Sequence, residues 1–389
     1  MSTNLYDASR QWAERPADQR YWTLAEMYQA TKRYADSAAE ATVKMGDLSL
    51  VPTPENDLTL LGKEGQEAKL THWSFGQLCQ RSQAPASYLR NLPAPLAAHC
   101  LNHGLEVCGD NDVTSKVLFH RNGSLICRAF TGEGYARIWN HDVAARLLAL
   151  EDQGWRVPPG SPALPNQPGT RPATEADVLT RKSSGGGLSI NVGDLIAPAG
   201  IYASDHDLFA FMVNENVVIE DGTSVGLARG FFVSNSEVGA AAFKIKRFLY
   251  RHVCGNHIVW DVKDVQELRI VHTGTADQRF GSELRYELIK YANESTGLEQ
   301  ERITKAKGFI LGKDKEEVLD SIFKLRVLPR KTIEEAYDAA TMDADLRGTN
   351  PRSAWGITQG LTSISQKAQF AEDRVALDVA AGKVLSIAF

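Results

Sequence analysis

No stretch of this chain stays apolar for 18 residues, the length needed to span a membrane. The opening MSTNLYDASRQWAERPADQR also lacks the apolar core of a secretory signal. Cysteine is scarce: Cys79, Cys100, Cys108, Cys127 and Cys254 are odd in number and irregular in spacing, so no disulfide framework is expected. The expected compartment is the cytoplasm, with no membrane partner. There is no internal repeat and no low-complexity tail. The one phosphate-loop lookalike, Ser183 to Gly187, lacks the Lys-Ser or Lys-Thr ending and reads as flexible linker.

An excess of basic charge is missing too. The 389 residues carry a net charge of -5, which excludes a uniformly basic nucleic-acid coat. The distribution is uneven, however: residues 240–331 hold 18 Lys and Arg against 13 Asp and Glu, a net of 18 - 13 = +5, which leaves -5 - 5 = -10 elsewhere. A -10 surface beside a +5 surface invites head-to-tail contact, so a homo-oligomer is expected.

The apolar pattern outlines the fold. Residues 18–45 show helical spacing, and 71–105 read as three short helices punctuated by Pro85, Pro93 and Pro95. A hairpin is expected over 117–130, with Arg121, Asn122 and Gly123 at its turn, and a helix over 140–153. Residues 156–187 hold six of the fifteen prolines and end in three glycines, marking a linker or surface insertion. Strands follow at 188–196, 208–219, 226–234, 243–253 and 266–272, then helices from 276 onward. The expected fold is α+β: a largely antiparallel β-sheet flanked by helices, with helical N- and C-terminal parts. The division is a helical N-terminal part with a β-hairpin (1–155), the 156–187 segment, a β-rich core (188–275) and a helical C-terminal part (276–389).

The strand over 243–253 carries the strongest functional pattern. Lys244, Lys246, Arg247 and Arg251 alternate with Phe248 and Tyr250, a mixture suited to phosphates and stacked bases. Arg229 lies one strand away, and Lys305 and Lys307 begin a basic helical region. The competing reading is a solvated strand face backed by ordinary core aromatics. Parity supports that in part, since Phe248 and Tyr250 go with Lys244 and Lys246 while Arg247 and Arg251 go with Phe243, Ile245 and Leu249.

Three weaker constellations stand beside it. His99, Cys100, His103 and Cys108, with His252, Cys254 and His257, offer zinc-type ligands but no paired zinc signature. Asp205, His206 and Asp207 would suit a divalent cation or acid–base work, though such residues equally make turns. Asn235, Ser236 and Glu237 before Gly239 likewise read as a side-chain-closed turn.

Four blocks occur in order: RAFTGEGYARIWNHDV (128–143), GFFVSNSEVG (230–239), YRHVCGNHIV (250–259) and NPRSAWGITQGLTSI (350–364). Together they resemble the phage- and plasmid-borne family called domain of unknown function 932, over roughly residues 70 to 385. The resemblance implies a mobile-element origin, hence a host cytoplasm, and carries no settled activity. The leading expectation is a phage- or plasmid-type protein that binds single-stranded DNA without cutting it, to anneal or protect strands in replication or recombination. The residues expected to bind are Arg229, Lys244, Lys246, Arg247, Phe248, Tyr250, Arg251, Lys305 and Lys307. No cofactor and no metal is expected. The alternatives are a metal-dependent enzyme on nucleic acid or a nucleotide, centred on His206 and Asp207 or on His257, and a protein that engages a host factor to blunt defence.

Overall fold

A computed structural model of the chain describes residues 16–107, 113–157, 160–163, 169–178, 190–198, 200–221, 226–251, 256–258, 268–347, 349–365 and 371–388. The strands in chain order begin with β1 (Arg20–Tyr21), β2 (Ala38–Lys44), β3 (Ser49–Pro52), β4 (Leu58–Leu61), β5 (Glu67–Leu70), β6 (Thr114–Asn122) and β7 (Ser124–Thr131). Next come β8 (Trp155–Arg156), β9 (Ser161–Pro162), β10 (Arg171–Pro172) and β11 (Leu195–Ala197). The series ends with β12 (Ile201–Ala203), β13 (Leu208–Ile219), β14 (Leu227–Asn235), β15 (Phe243–Arg251), β16 (Asn256–Ile258) and β17 (Leu268–Ile270).

The fold is α+β, as the sequence pattern indicates. The main sheet runs β1-β12-β13-β14-β15-β16, with β8 also on β13 and β17 also on β15, all antiparallel. A second, six-stranded sheet runs β2-β6-β7-β5-β4-β3, antiparallel except where β5 meets β7. A three-stranded sheet, β10-β11-β9, joins two short strands of the Pro- and Gly-rich stretch to β11 beyond it.

The helix expected over 18–45 stops early. Its start at Leu24 is set by a capping box, in which the Thr23 side chain accepts from the Glu26 amide and the Glu26 side chain accepts from the Thr23 amide. It ends at Asp36, and Ala38–Lys44 becomes a strand because β6 offers it a full ladder of backbone partners. The three Pro-punctuated helices span His72–Arg81, Ala86–Leu89 and Ala94–Val107. Pro95 lies inside the third without breaking it, because the first turn needs no backbone donor there. The 1–155 region holds more strand than its pattern indicates.

One face of the main sheet carries the helices. Ala210, Met212, Phe231, Val233, Phe243 and Ile245 pack against Leu24 and Met27, against Val143 and Leu147, and against Phe280, Leu284 and Leu288 of the Ala276–Asn293 helix. Further along the same face, Leu227 and Leu249 join a second core built by the C-terminal helices through Ile303, Ile322, Trp355 and Leu361. All nine positions of β14 are buried, so its sequence LARGFFVSN has no solvated side.

Candidate functional site

Paired residues of antiparallel neighbours share a face, so register shows what stands on the side away from the helices. Arg20, Tyr202, Phe209, Ser234, Lys244 and Arg269 are partners in succession and form one row across six strands. Beside it runs Phe211, Phe232 and Lys246, and beyond that Arg156, Val213, Gly230 and Phe248. Tyr250, opposite Ala228, extends the same face. None of these positions is acidic. Tyr202 stacks on Phe209 with ring centroids 5.0 Å apart, and Phe211 meets Phe232 at 5.6 Å. These four rings are at most 3% exposed, so this face too is covered.

The pleat thus splits the expected binding set. Lys244, Lys246, Phe248 and Tyr250 fall on the aromatic face, whereas Arg229 and Arg247 fall on the helix face and are committed there. Arg229 is buried, pairs with Glu299 at 2.9 Å and donates to the carbonyls of Tyr291, Glu294 and Ser295, satisfying the open end of the Ala276–Asn293 helix. Arg247 pairs with Glu287 at 2.8 Å and lies over the Tyr291 ring at 4.5 Å. Arg251 shares the register parity of Arg247. The basic helix is not beside the aromatic face: the Gly297–Gly308 helix packs through Ile303 and Ala306 into the helix-side core. Lys305 pairs with Glu301 at 2.7 Å, and Lys307 donates to the Asp221 carbonyl at 2.5 Å. Downstream, Lys315 pairs with Glu334 and Asp338, and Arg330 with Glu316 and Asp320.

A second polar constellation lies where the β14–β15 turn enters the N-terminal half. Gly239, at φ +83°, lets this turn fold tightly. Glu237 Oε2 accepts from Arg128 Nη2 at 2.9 Å, both side chains being buried, while Oε1 accepts from the Asn140 amide at 2.7 Å. That amide opens the Asn140–Leu148 helix, whose preceding Trp139 supplies no side-chain cap, so Glu237 caps it from across the fold. Asn235 Nδ2 donates to the Ile138 carbonyl and to Asn140 Oδ1, each at 2.8 Å. The Val238 carbonyl accepts from Trp73 Nε1 and Gln77 Nε2, and Tyr135 donates to the Ser236 carbonyl. The turn is a plug, with Glu237, Asn235 Nδ2 and the Ser236 and Val238 carbonyls met by the N-terminal half and Ser236 Oγ by the His206 carbonyl. Its adjoining crevice, between Tyr21, Thr31, Tyr34, Asn140, Ser204 and Glu237, is too narrow to hold a water molecule.

Asp205, His206 and Asp207 sit beside this plug and close on one another. His206 Nδ1 lies 3.0 Å from Asp205 and 3.1 Å from Ser204 Oγ, and Ser204 Oγ donates to Asp207. The hydrogen bond with His206 lowers Asp205 below the usual carboxylate range against the opposing effect of burial. Burial, then the nearby Arg128 guanidinium, hold His120 below its ordinary value, and burial raises Tyr34. Among the described residues no three His, Cys, Asp or Glu side chains gather as a metal set. Cys100 is an exposed thiol on the Ala94–Val107 helix. Cys108, His252 and Cys254, the His257 side chain and the Ser183–Gly187 run lie outside the described residues.

Fold and site together define an α+β protein whose main antiparallel sheet has helices on one face and a row of aromatic and basic residues on the other. Residues 195–380 match the family model described as Domain of unknown function (DUF932). No curated protein and no solved structure matches the chain. The match begins at β11 and takes in every strand of the main sheet except β1 and β8.

Sequence reasoning missed Arg20, Tyr202, Phe209, Phe211, Phe232 and Arg269. The alternation in β13 and β14 held the signal for the phenylalanines. Nothing local marks Arg20, which reaches Tyr202 only through strand pairing.

Proposed function

We propose that the protein binds single-stranded DNA without cutting it, across the aromatic face of its main sheet. The observation that carries this reading is the cross-strand row from Arg20 to Arg269, with cations at its ends, stacked rings within it and no carboxylate in it or in the Phe211 and Val213 rows on one side of it. Single strands are held this way on sheets: rings take the faces of unpaired bases, about 1 to 3 kcal/mol for each, and cations take the phosphates. Five strand steps of ~4.8 Å make the row about 24 Å long, enough for several nucleotides. Because the rings are buried in the free protein, binding requires this face to open. Annealing or protection of strands would use such a surface.

The alternative of a metal-dependent enzyme has less support, because His206, Asp205, Asp207 and Ser204 satisfy one another within one turn.

Photo-crosslinking tests the placement. Irradiation of the protein with oligodeoxythymidylate, then peptide mass spectrometry, should put adducts on peptides bearing Tyr202, Phe232 or Tyr250. Adducts confined to the C-terminal helices, or absent altogether, would exclude the face.

A further inference from the structure

Arg20 is buried to 5% exposure, yet none of its three guanidinium nitrogens has a hydrogen-bond partner. Guanidinium stays charged at any working pH, and a buried charge without a partner costs several kcal/mol. Other buried arginines of this chain show the normal pattern: Arg128 has Glu237 and the Asp205 carbonyl, and Arg229 has Glu299 and three helix-end carbonyls.

Among the described residues no carboxylate pairs with Arg20. Of the two carboxylates in the neighbouring 169–178 segment, Glu175 and Asp177, the latter is held by Arg171 at 2.7 Å, and Arg171 itself lies over the Trp22 ring at 4.2 Å. Burial alone acts on the Arg20 guanidinium, and it acts against the charge. Gly169 comes close enough that a Cβ placed on it would stand 3.4 Å from Arg20 Nη2, and the same Cβ would stand 3.1 Å from the Ala17 Cβ. Gly169 and Ala17 are thus small apolar parts of this cover and contribute no counter-charge. On its other side Arg20 is paired in register with Tyr202, the first ring of the stacked pair.

We propose that Arg20 is a phosphate anchor, its guanidinium taking one phosphate of the bound strand while the adjoining base meets Tyr202. This rests on the strand-binding reading and adds to it the end at which the strand is pinned. Arg offers a planar fork of donors matched to two phosphate oxygens, which a lysine cannot reproduce. Lys244, four strands away in the same row, would meet the backbone about 19 Å further on.

The test compares wild type, Arg20→Met, Arg20→Lys and, as a control on the helix side, Arg279→Gln, by titration of labelled oligodeoxythymidylate at several salt concentrations. Each variant's thermal unfolding midpoint is measured in parallel. Arg20→Met should lose at least about tenfold in affinity and lower the salt slope by about 0.7, with Arg20→Lys between it and wild type and Arg279→Gln unchanged. The unliganded Arg20→Met protein should melt no lower than wild type, since the substitution strands no partner. Equal affinity and slope for Arg20→Met, or a markedly lower melting midpoint, would overturn the anchor while leaving strand binding in place. Failure of wild type itself to bind would instead remove the strand-binding reading.

Discussion

Tyr202 and Phe209 stack at 5.0 Å with their planes 25° apart, on adjacent strands of a sheet whose opposite face holds every packed helix of its main core. A stacked pair with Arg20 on one side and Ser234 and Lys244 on the other is an unusual content for an interior. It has aromatic area to bury and a cation, Arg20, that burial penalises. A strand of nucleic acid would meet Arg20 and the rings together, which is why this face is favoured over the basic helical region, where Lys305, Lys315 and Arg330 already have carboxylates.

The pleat predicts a split between two lysines and two arginines of one region. Lys244→Gln with Lys246→Gln should weaken oligonucleotide binding and reduce its salt slope by about 1.4, or ~0.7 for each cation. Arg247→Gln should leave the slope unchanged. Salt-dependent anisotropy titrations of the two proteins check this.

Arg229→Met should cost about 3 to 5 kcal/mol of stability, because it strands Glu299 and the carbonyls closing the Ala276–Asn293 helix. Urea unfolding monitored by circular dichroism measures the loss. A neutral effect would mean that Arg229 is not the helix-end partner described here.

Glu237→Ala should cost a similar amount, since it leaves Arg128 unpaired and the Asn140 amide uncapped. Glu237→Gln keeps an acceptor for that amide and should recover part of the loss. Comparison of the two unfolding midpoints separates the cap from the charge.

Stability should fall on acidification. Burial holds the His272 imidazole down to about 4, against an ordinary 6.5, with its ring stacked on Tyr135 at 4.8 Å. Above pH 6.5 both folded and unfolded states leave it neutral. Between 6.5 and about 4 the unfolded chain takes up a proton that the folded protein refuses, so stability drops through that window and levels below it. The full effect is roughly 3 kcal/mol. His272→Gln should remove that part of the pH dependence in denaturant titrations from pH 7 to pH 4.

Because the stacked rings are covered, association should be slow. A rate constant below about 10⁵ M⁻¹s⁻¹ is expected in stopped-flow mixing, under the range for preformed surfaces.

The sequence was most legible where periodicity and punctuation coincide. The Pro-broken helices, the β6–β7 hairpin with Gly123 at its turn, and β13 to β15 all stand within a few residues of the pattern. The strands from β2 to β5 escaped notice: AAEATVK is rich in helix formers, and its strand state comes from pairing with β6. Parity already separated Lys244 and Lys246 from Arg247 and Arg251. It could not say which set meets the helices, because aromatic residues occupy both faces. Arg20 joined the site by pairing with a residue 182 positions away, 202 - 20, and no local pattern encodes such a partner.

The most direct test is an anisotropy titration of labelled oligodeoxythymidylate at two salt concentrations, with a duplex of equal length as competitor. The account predicts binding that weakens with salt and that the duplex displaces poorly. An absence of binding at low salt, or equal displacement by duplex, would contradict it.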